Sequence, residues 1–372
     1  MCNEIEMRNI EYYKEIRQKL HSHPDVSGKE SYAHDLIVSE LQALSPTRIF
    51  THVGGYGVVA YWKKISCDAK QGLTIAFRAD IDALPIGHCC GHDGHTAILL
   101  RFAEYVATHD LKNNVVLVFQ PEEETGKGAR KIIDEGVLKE LGINAIYGLH
   151  NLPGYPKGTV VVENELCPFA SASSGVVYRL VGRPTHASSP EKGINPGLAV
   201  AEIIERFHDL NLLDKNNWRF RMITLICCRI GEEAFGTSAG DAEVMFTMRT
   251  FFDKNLDLLF RDADAIVDEV AARYGLRVEK EVREPFSSTW SMPWLQKRME
   301  EYLKPFFKIE RIEHPFLWSE DFGEYLHGIR GVFFGLGSGE DQPELHHPDY
   351  NFPDDIIETG SKCFELIVEN AE

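Results

Sequence analysis

Five groups of polar residues in this sequence offer the donor atoms that divalent cations take. Asp80 and Asp82 stand in RADIDALP, and Cys90, His92, Asp93 and His95 in CGHDGH. Glu122, Glu123 and Glu124 stand in QPEEETG, His150 in GLHNLPG, and His346 and His347 in ELHHPDY. Thiolate, imidazole and carboxylate together form the ligand set of borderline metals such as zinc. Taken singly, each group has an ordinary structural explanation. An aspartate after a strand caps a turn, a lone histidine hydrogen-bonds in a core, and consecutive glutamates form a solvated charge run. CGHDGH is the most specific of the five. A cysteine and a histidine two apart, with a helix expected to begin near Gly94, set a thiol beside the positive end of a helix dipole, which favours the thiolate.

Short apolar runs position these groups. Leu73–Ala79, Val115–Gln120 and Ala145–His150 read as strands, separated by helical patterns from Gly94 to about Thr108 and from Gly128 to about Leu141. Strands alternating with helices predict a largely parallel sheet, which binds ligands beyond the carboxyl ends of its strands. The polar groups follow those ends. Upstream, residues 11–20 and 31–44 have helical spacing.

From about Cys167 to Pro285 the pattern changes. Strands at Ser173–Val181, Arg221–Ile230, Ala242–Thr250 and Arg277–Val282 alternate with helices at Pro196–Leu210 and Leu256–Tyr274. That βαββαβ order is ferredoxin-like. A strand around Gly331–Leu336 and a last helix from about Asp354 follow. The expected architecture is an α/β catalytic domain with a mainly parallel sheet, residues 1–166 plus 286–372, interrupted by an α+β insert at 167–285.

The chain has 372 residues, long enough for two domains, and a net charge of −18 from 39 basic and 57 acidic side chains. That acidity argues against nucleic acid as a partner. No apolar run approaches the roughly 20 residues that span a bilayer, so no membrane role is expected. The N-terminal stretch MCNEIEMRNIEYYKEIRQKL reads as an amphipathic helix and not a signal peptide. Eight cysteines without such a signal fit a reducing, cytoplasmic setting.

With these motifs in place, the chain resembles peptidase family M20, in particular its amidohydrolase branch (subfamily D) of aminoacylases, hippurate hydrolases and indole-acetyl-amino-acid hydrolases. The resemblance rests on IRQKLHSHPDVSGKE, FRADIDALPI, HCCGHDGHTA, VFQPEEETGKGA, YGLHNLPG, GRPTHASSPEKGINP, WSEDFG and LHHPDYNF, in the family's order over nearly the whole chain. It implies a zinc-exopeptidase-like catalytic domain with a lid and dimerisation insert. It implies Cys90, His92, Glu124, His150 and His346 as ligands of two divalent metal ions, with zinc, manganese, cobalt and nickel all compatible. Glu123 falls on the general base, and Glu122 on a bystander position. His186 matches an insert histidine that approaches the scissile carbonyl, and Asp80 a residue that supports the ligands from behind. The substrate implied is a small-molecule N-acyl amino acid, and the assembly implied is a homodimer.

Two departures stand out. Relatives carry roughly a dozen more residues between the Leu-Pro-Ile segment and Cys-Gly-His, where this chain has only Gly87, His88 and Cys89. The insert has FGTSAGDAE where an Asn-x-Ile-Pro stretch is usual. Three other readings compete: a dipeptidase or carboxypeptidase with the same metals, a metal- or small-molecule-binding protein without catalysis, and a thiol redox protein using Cys89 and Cys90. An intact Glu123 argues against the binder. The adjacent cysteines lack the two-residue spacing of a dithiol motif, which argues against the redox protein.

Overall fold

A computed structural model describes residues 8–64 and 72–372. The first residues of the expected N-terminal helix lie outside that range. Its remainder forms at Ile10–His21, where the Asn9 side chain caps the Tyr12 N–H. The chain forms two compact units: Met1–Phe169 with Thr289–Glu313 and Glu320–Glu372, and Ala170–Ser288 with His314–Ser319.

The larger unit is built on an eight-stranded mixed sheet. At its centre Asn114–Gln120, Thr74–Asp80, Ala145–Pro153 and Arg330–Gly339 lie side by side in parallel. These strands read as near-continuous apolar runs because helices cover their faces. The hairpin Arg48–Val53 and Gly57–Trp62, not anticipated from sequence, extends one side antiparallel. Val160–Val162 and Ile309–Arg311 extend the other, the first antiparallel to Arg330–Gly339. The helix His92–Thr108 is buried along nearly its whole length. It packs Phe102 against Phe77 and Phe364 at 4.6 and 5.6 Å between ring centroids, edge-on or tilted as aromatic quadrupoles prefer. The helical run expected from Gly128 to Leu141 is broken in two at Gly136, which takes φ 77°.

Parallel register brings Asp80 opposite Gln120, so the polar groups after the strands share one edge of the sheet. Beneath that edge lies a buried guanidinium. Arg78 donates to Asp80 (2.7 Å), Glu320 (2.8 Å), Asp321 (2.9 Å) and Gln120 (2.9 Å). Asp321 also accepts from Gln120 and from the Ala129 N–H (3.0 Å) at the start of the following helix.

The smaller unit is a four-stranded antiparallel sheet in the order Arg277–Phe286, Ala172–Val181, Asp241–Thr250, Arg221–Ile230. Helices Gly197–Asp209 and Asp253–Tyr274 pack on it through Ile203, Phe207, Leu259 and Val267. The βαββαβ expectation matches this element order. The segment His314–Ser319, which the sequence reading assigns to the larger part, joins this unit instead. The reason is local: Ser171 donates through its N–H and hydroxyl to the Phe316 carbonyl, and Ser319 returns a bond to the Ser171 carbonyl.

Removing the buried cation leaves three carboxylates uncompensated in low dielectric. Arg78→Met should therefore cost about 3–5 kcal/mol. The check is the urea unfolding midpoint, and a variant as stable as the parent would show that the carboxylates are neutralised by something else.

Candidate metal centre

The structure brings the implied ligands together from four separate chain segments. The Cys90 Sγ lies 3.8 Å from the His150 Nε2 and 3.4 Å from the His346 Nε2. The His346 Nε2 lies 3.5 Å from a Glu124 oxygen, and the His92 Nε2 lies 3.9 Å from the other. Donors bound at 2.0–2.3 Å around one tetrahedral cation sit about 3.3–3.8 Å from each other. Two overlapping triads result, Cys90–His92–His150 and Cys90–Glu124–His346.

Each buried histidine is turned to present Nε2. The His92 Nδ1 is 3.0 Å from the Asp82 carbonyl and the His150 Nδ1 is 2.9 Å from the Asn151 carbonyl. A carbonyl only accepts, so the ring proton sits on Nδ1 and the Nε2 lone pair faces the cluster. The His92 Nε2 and the Glu124 Oε1 are buried with no hydrogen-bond partner. Orphaned acceptors of this kind are costly, and a cation satisfies both. His95 is excluded from the ligand set, because its Nδ1 is engaged by Asp80 and its Nε2 by Asn151. Asp93 faces the N-terminal helix and accepts from His21 at 2.8 Å. Asp80 is held between Arg78 and His95, with its Oδ2 3.6 Å from the His92 Nε2.

The glutamate turn is clamped by Asp82, which the sequence offers as a metal donor and to which the resemblance gives no role. The Asp82 carboxylate accepts the N–H of Glu123 at 3.1 Å and of Glu124 at 3.0 Å, and the Ser27 hydroxyl at 2.7 Å. Its only sequence signal is its place two residues past Asp80. Glu122 turns the chain with φ 55°, its amide on Glu30 and its side chain on Lys131, away from the ligands. His346 also takes positive φ, 67°, and its N–H is held by the Cys89 carbonyl at 2.9 Å. Strained backbone of this sort gathers where side chains must be aimed. Gly91 is required by its φ of 95° and by Asn151, whose Oδ1 would lie 2.5 Å from an added Cβ.

Electrostatics fit a cation. Burial pushes the Cys90 thiol well above its usual value, and Glu124 adds to this. A cation that takes this thiolate as a ligand must displace its proton. Burial raises Glu124 to about 7. Burial raises Glu123 well above the carboxylate range, helped by Glu320, Glu124 and Asp321. Burial alone would depress His92, yet Asp80 and Cys90 hold it well above its ordinary value. The pocket thus favours positive charge at the Nε2 a metal would take. Burial, with His95 nearby, keeps His150 neutral and ready to ligate.

His186 stands on the second unit, in the short strand Thr185–His186 paired with Thr237–Ser238, so the departing FGTSAGDAE stretch backs it directly. Its Nδ1 accepts the Ser188 N–H at 3.1 Å, which leaves Nε2–H as a donor on an exposed ring. The segment before Cys90 closes as a tight turn, with the Gly87 N–H on the Leu84 carbonyl.

The model of peptidase family M20/M25/M40 matches residues 76–370. An uncharacterized hydrolase of Staphylococcus epidermidis is 29% identical over 392 residues, covering 98% of this chain and 99% of its own. Another, from Staphylococcus saprophyticus, is 27% identical over 388 residues, with 98% of each chain covered. Among solved structures, the Bacillus subtilis YXEP protein, a dinuclear metal binding peptidase from the M20 family, superposes with TM-score 0.80. It shares 26% identity over 97% of this chain and 99% of that one. The aminobenzoyl-glutamate utilization protein of Klebsiella pneumoniae has the same fold, with TM-score 0.77 at 20% identity over 97% of this chain and 96% of its own.

Metal uptake should release protons. Cys90 and Glu124 have raised values, so both are protonated at low pH and must ionise to ligate. Affinity therefore rises as pH increases. Between pH 6 and 8 the apparent zinc affinity, measured by chelator competition, should increase about 100-fold or more. A flat profile would remove Cys90 from the ligand set.

Proposed function

The chain belongs to peptidase family M20/M25/M40 and is a hydrolase; from that premise we propose that it cleaves the amide bond of N-acyl amino acids or similar small amides with a two-metal centre. The observation that carries this reading is a buried carboxyl, Glu123, set beside the convergent donors of Cys90, His92, Glu124, His150 and His346. A pure metal-binding site has no use for a further acid so close.

Two divalent cations bound there supply Lewis acidity and lower the pKa of water. Glu123 takes the proton of the attacking water and returns it to the leaving amine. Its Oε2 is 3.9 Å from the His92 Nε2, so the base faces the cluster from the side. A carboxyl raised by burial and by neighbouring acids has the basicity this step needs, and cations alongside bring it down toward neutrality. Asp82 fixes the turn so that Glu124 ligates and Glu123 stays free. His186 is the proposed donor to the carbonyl oxygen as it becomes negative, the role of preorganised donors in amide cleavage; the family pattern and its available Nε2–H support this assignment. The substrate is a small molecule, and the catalytic and lid roles follow the two units.

The same reading includes a cytoplasmic homodimer. The edge strand Arg221–Ile230 exposes Leu225, Ile226 and Ile230, an apolar row that a second copy would cover. Among the described residues no helix is long and apolar enough to cross a membrane.

The test is a hydrolysis screen on metal-stripped and then zinc- or manganese-reloaded protein, read by release of free amine. N-acetyl, N-benzoyl and N-succinyl amino acids and dipeptides form the panel. Metal-dependent release from one acyl series is the expected result; release from dipeptides alone would move the reading to a dipeptidase or carboxypeptidase. Glu123→Gln should keep its metal stoichiometry and lose roughly 10²–10⁴-fold in turnover. A near-normal rate in that variant would sink the general-base assignment.

A further inference from the structure

The turn that carries the glutamates is held at its entry by a residue 92 positions earlier. Glu30 is fully buried at the head of the helix Ser31–Ala43. Its Oε1 accepts the Gly28 N–H at 2.7 Å and the Glu122 N–H at 3.0 Å. Asp82 takes the next two amides, so the N–H groups of Glu122, Glu123 and Glu124 all end on buried acids.

Glu30 occupies the position from which a side chain ordinarily caps its own helix, and it makes no such bond. Asp25 takes its place, accepting the Tyr32 N–H at 2.7 Å and the Ala33 N–H at 3.1 Å. These are the second and third helical amides, the ones a cap serves. The same short segment accepts the Ala83 N–H on the Asp25 carbonyl at 2.8 Å and donates the Ser27 hydroxyl to Asp82. It therefore frees Glu30 from capping while bracing the other acid that holds the turn. What the Glu30 bond governs is the conformation of Glu122, whose φ of 55° is left-handed and costly for a side chain with a Cβ. The Glu122 carbonyl accepts the Lys127 and Gly128 N–H groups, which secures the exit. Glu30 secures the entry.

We infer that Glu30 is a positioning residue: by taking the Glu122 N–H it holds Glu122 in the left-handed region and so aims Glu123 and Glu124 into the cluster. The inference rests on the general-base reading of Glu123. Burial raises Glu30 to about 7. Charged or neutral, the group keeps an acceptor oxygen for the Glu122 N–H, so glutamine can replace it. Methionine, of similar size, has no such acceptor.

The test pairs turnover with the visible spectrum of cobalt-loaded protein, which follows ligand geometry without any substrate. Glu30→Met should lower kcat about 10–100-fold, with KM and metal stoichiometry nearly unchanged, since small misplacements near the chemistry cost this much. Its cobalt spectrum should differ from the parent's. Glu30→Gln should keep the parental spectrum and most of the turnover. Glycine takes positive φ freely, so adding Glu122→Gly to Glu30→Met should recover several-fold of the lost kcat. Should Glu30→Met not fold, Glu30→Asp carries the test. Aspartate can cap its own helix, which preserves stability, while its oxygen falls about 1.5 Å short of the Glu122 N–H. Its kcat and spectrum should then change with the unfolding midpoint unmoved. Three outcomes overturn the inference: parental kcat and spectrum in Glu30→Met or Glu30→Asp, a Glu30→Gln as slow as Glu30→Met, or no recovery with Glu122→Gly. A parent that hydrolyses no amide would instead sink the general-base reading, and the cobalt spectra of the variants would decide the role of Glu30 on their own.

Discussion

One fully buried guanidinium holds the functional edge of this sheet together. Arg78 sits among Asp80, Glu320, Asp321 and Gln120, and each partner passes the constraint outward. Asp80 fixes His95, Gln120 precedes the glutamate turn, and Asp321 caps the helix that follows it. Arg78 and the His92 imidazole, raised beside Asp80, cannot together neutralise all the acids gathered there. Asp80, Asp82, Glu123, Glu124, Glu320 and Asp321 make six buried or nearly buried carboxyls. Unpaired buried charge is costly, so a fold that keeps these acids needs either protons or cations among them. Burial raises Glu123, Glu124 and Asp321 because the protein alone supplies only protons. Divalent cations would resolve the same conflict while leaving the donors ionised.

Orientation is settled by hydrogen bonds in which one partner is backbone. Carbonyls of Asp82 and Asn151 set the tautomers of His92 and His150. Amides of Glu123 and Glu124 are held by Asp82. Three residues at the centre, Gly91, Glu122 and His346, occupy the left-handed region. Only Gly91 does so without steric cost, and the other two depend on bonds to Glu30 and the Cys89 carbonyl. A site assembled this way is stiff before any metal arrives, which suits a reaction that relies on preorganised charge.

Much of this was legible in the sequence, for reasons that differ by element. Apolar runs at 73–79, 115–120 and 145–150 announce strands because burial on both faces leaves no polar alternation, and the polar groups after them must then meet at one edge. The insert was legible because its strands alternate, as in the buried pattern of Asp241–Thr250. The hairpin at 48–62 escaped notice because Arg48–Val53 is a half-exposed edge strand with a mixed pattern. Arg78 and Asp82 looked like ordinary strand-end residues. Their importance comes from partners 242 and 41 positions away, Glu320 and Glu123. The helix start at CGHDGH was legible as a geometry, whereas the burial that raises the Cys90 thiol depends on distant elements packed around it.

The segment before Cys90 braces two of the implied ligands at once. Gly87 closes on Leu84, and two residues later the Cys89 carbonyl reaches across to the His346 N–H, 257 positions on. The turn that delivers the thiol therefore also anchors the last imidazole. Neither could shift without the other. This short turn acts as a strut between the two. Ile86 is exposed and the His346 side chain is more than half exposed, the most accessible of the implied ligands. The mouth of the cluster is therefore formed by His346 and its neighbours, beside a short, tightly braced rim.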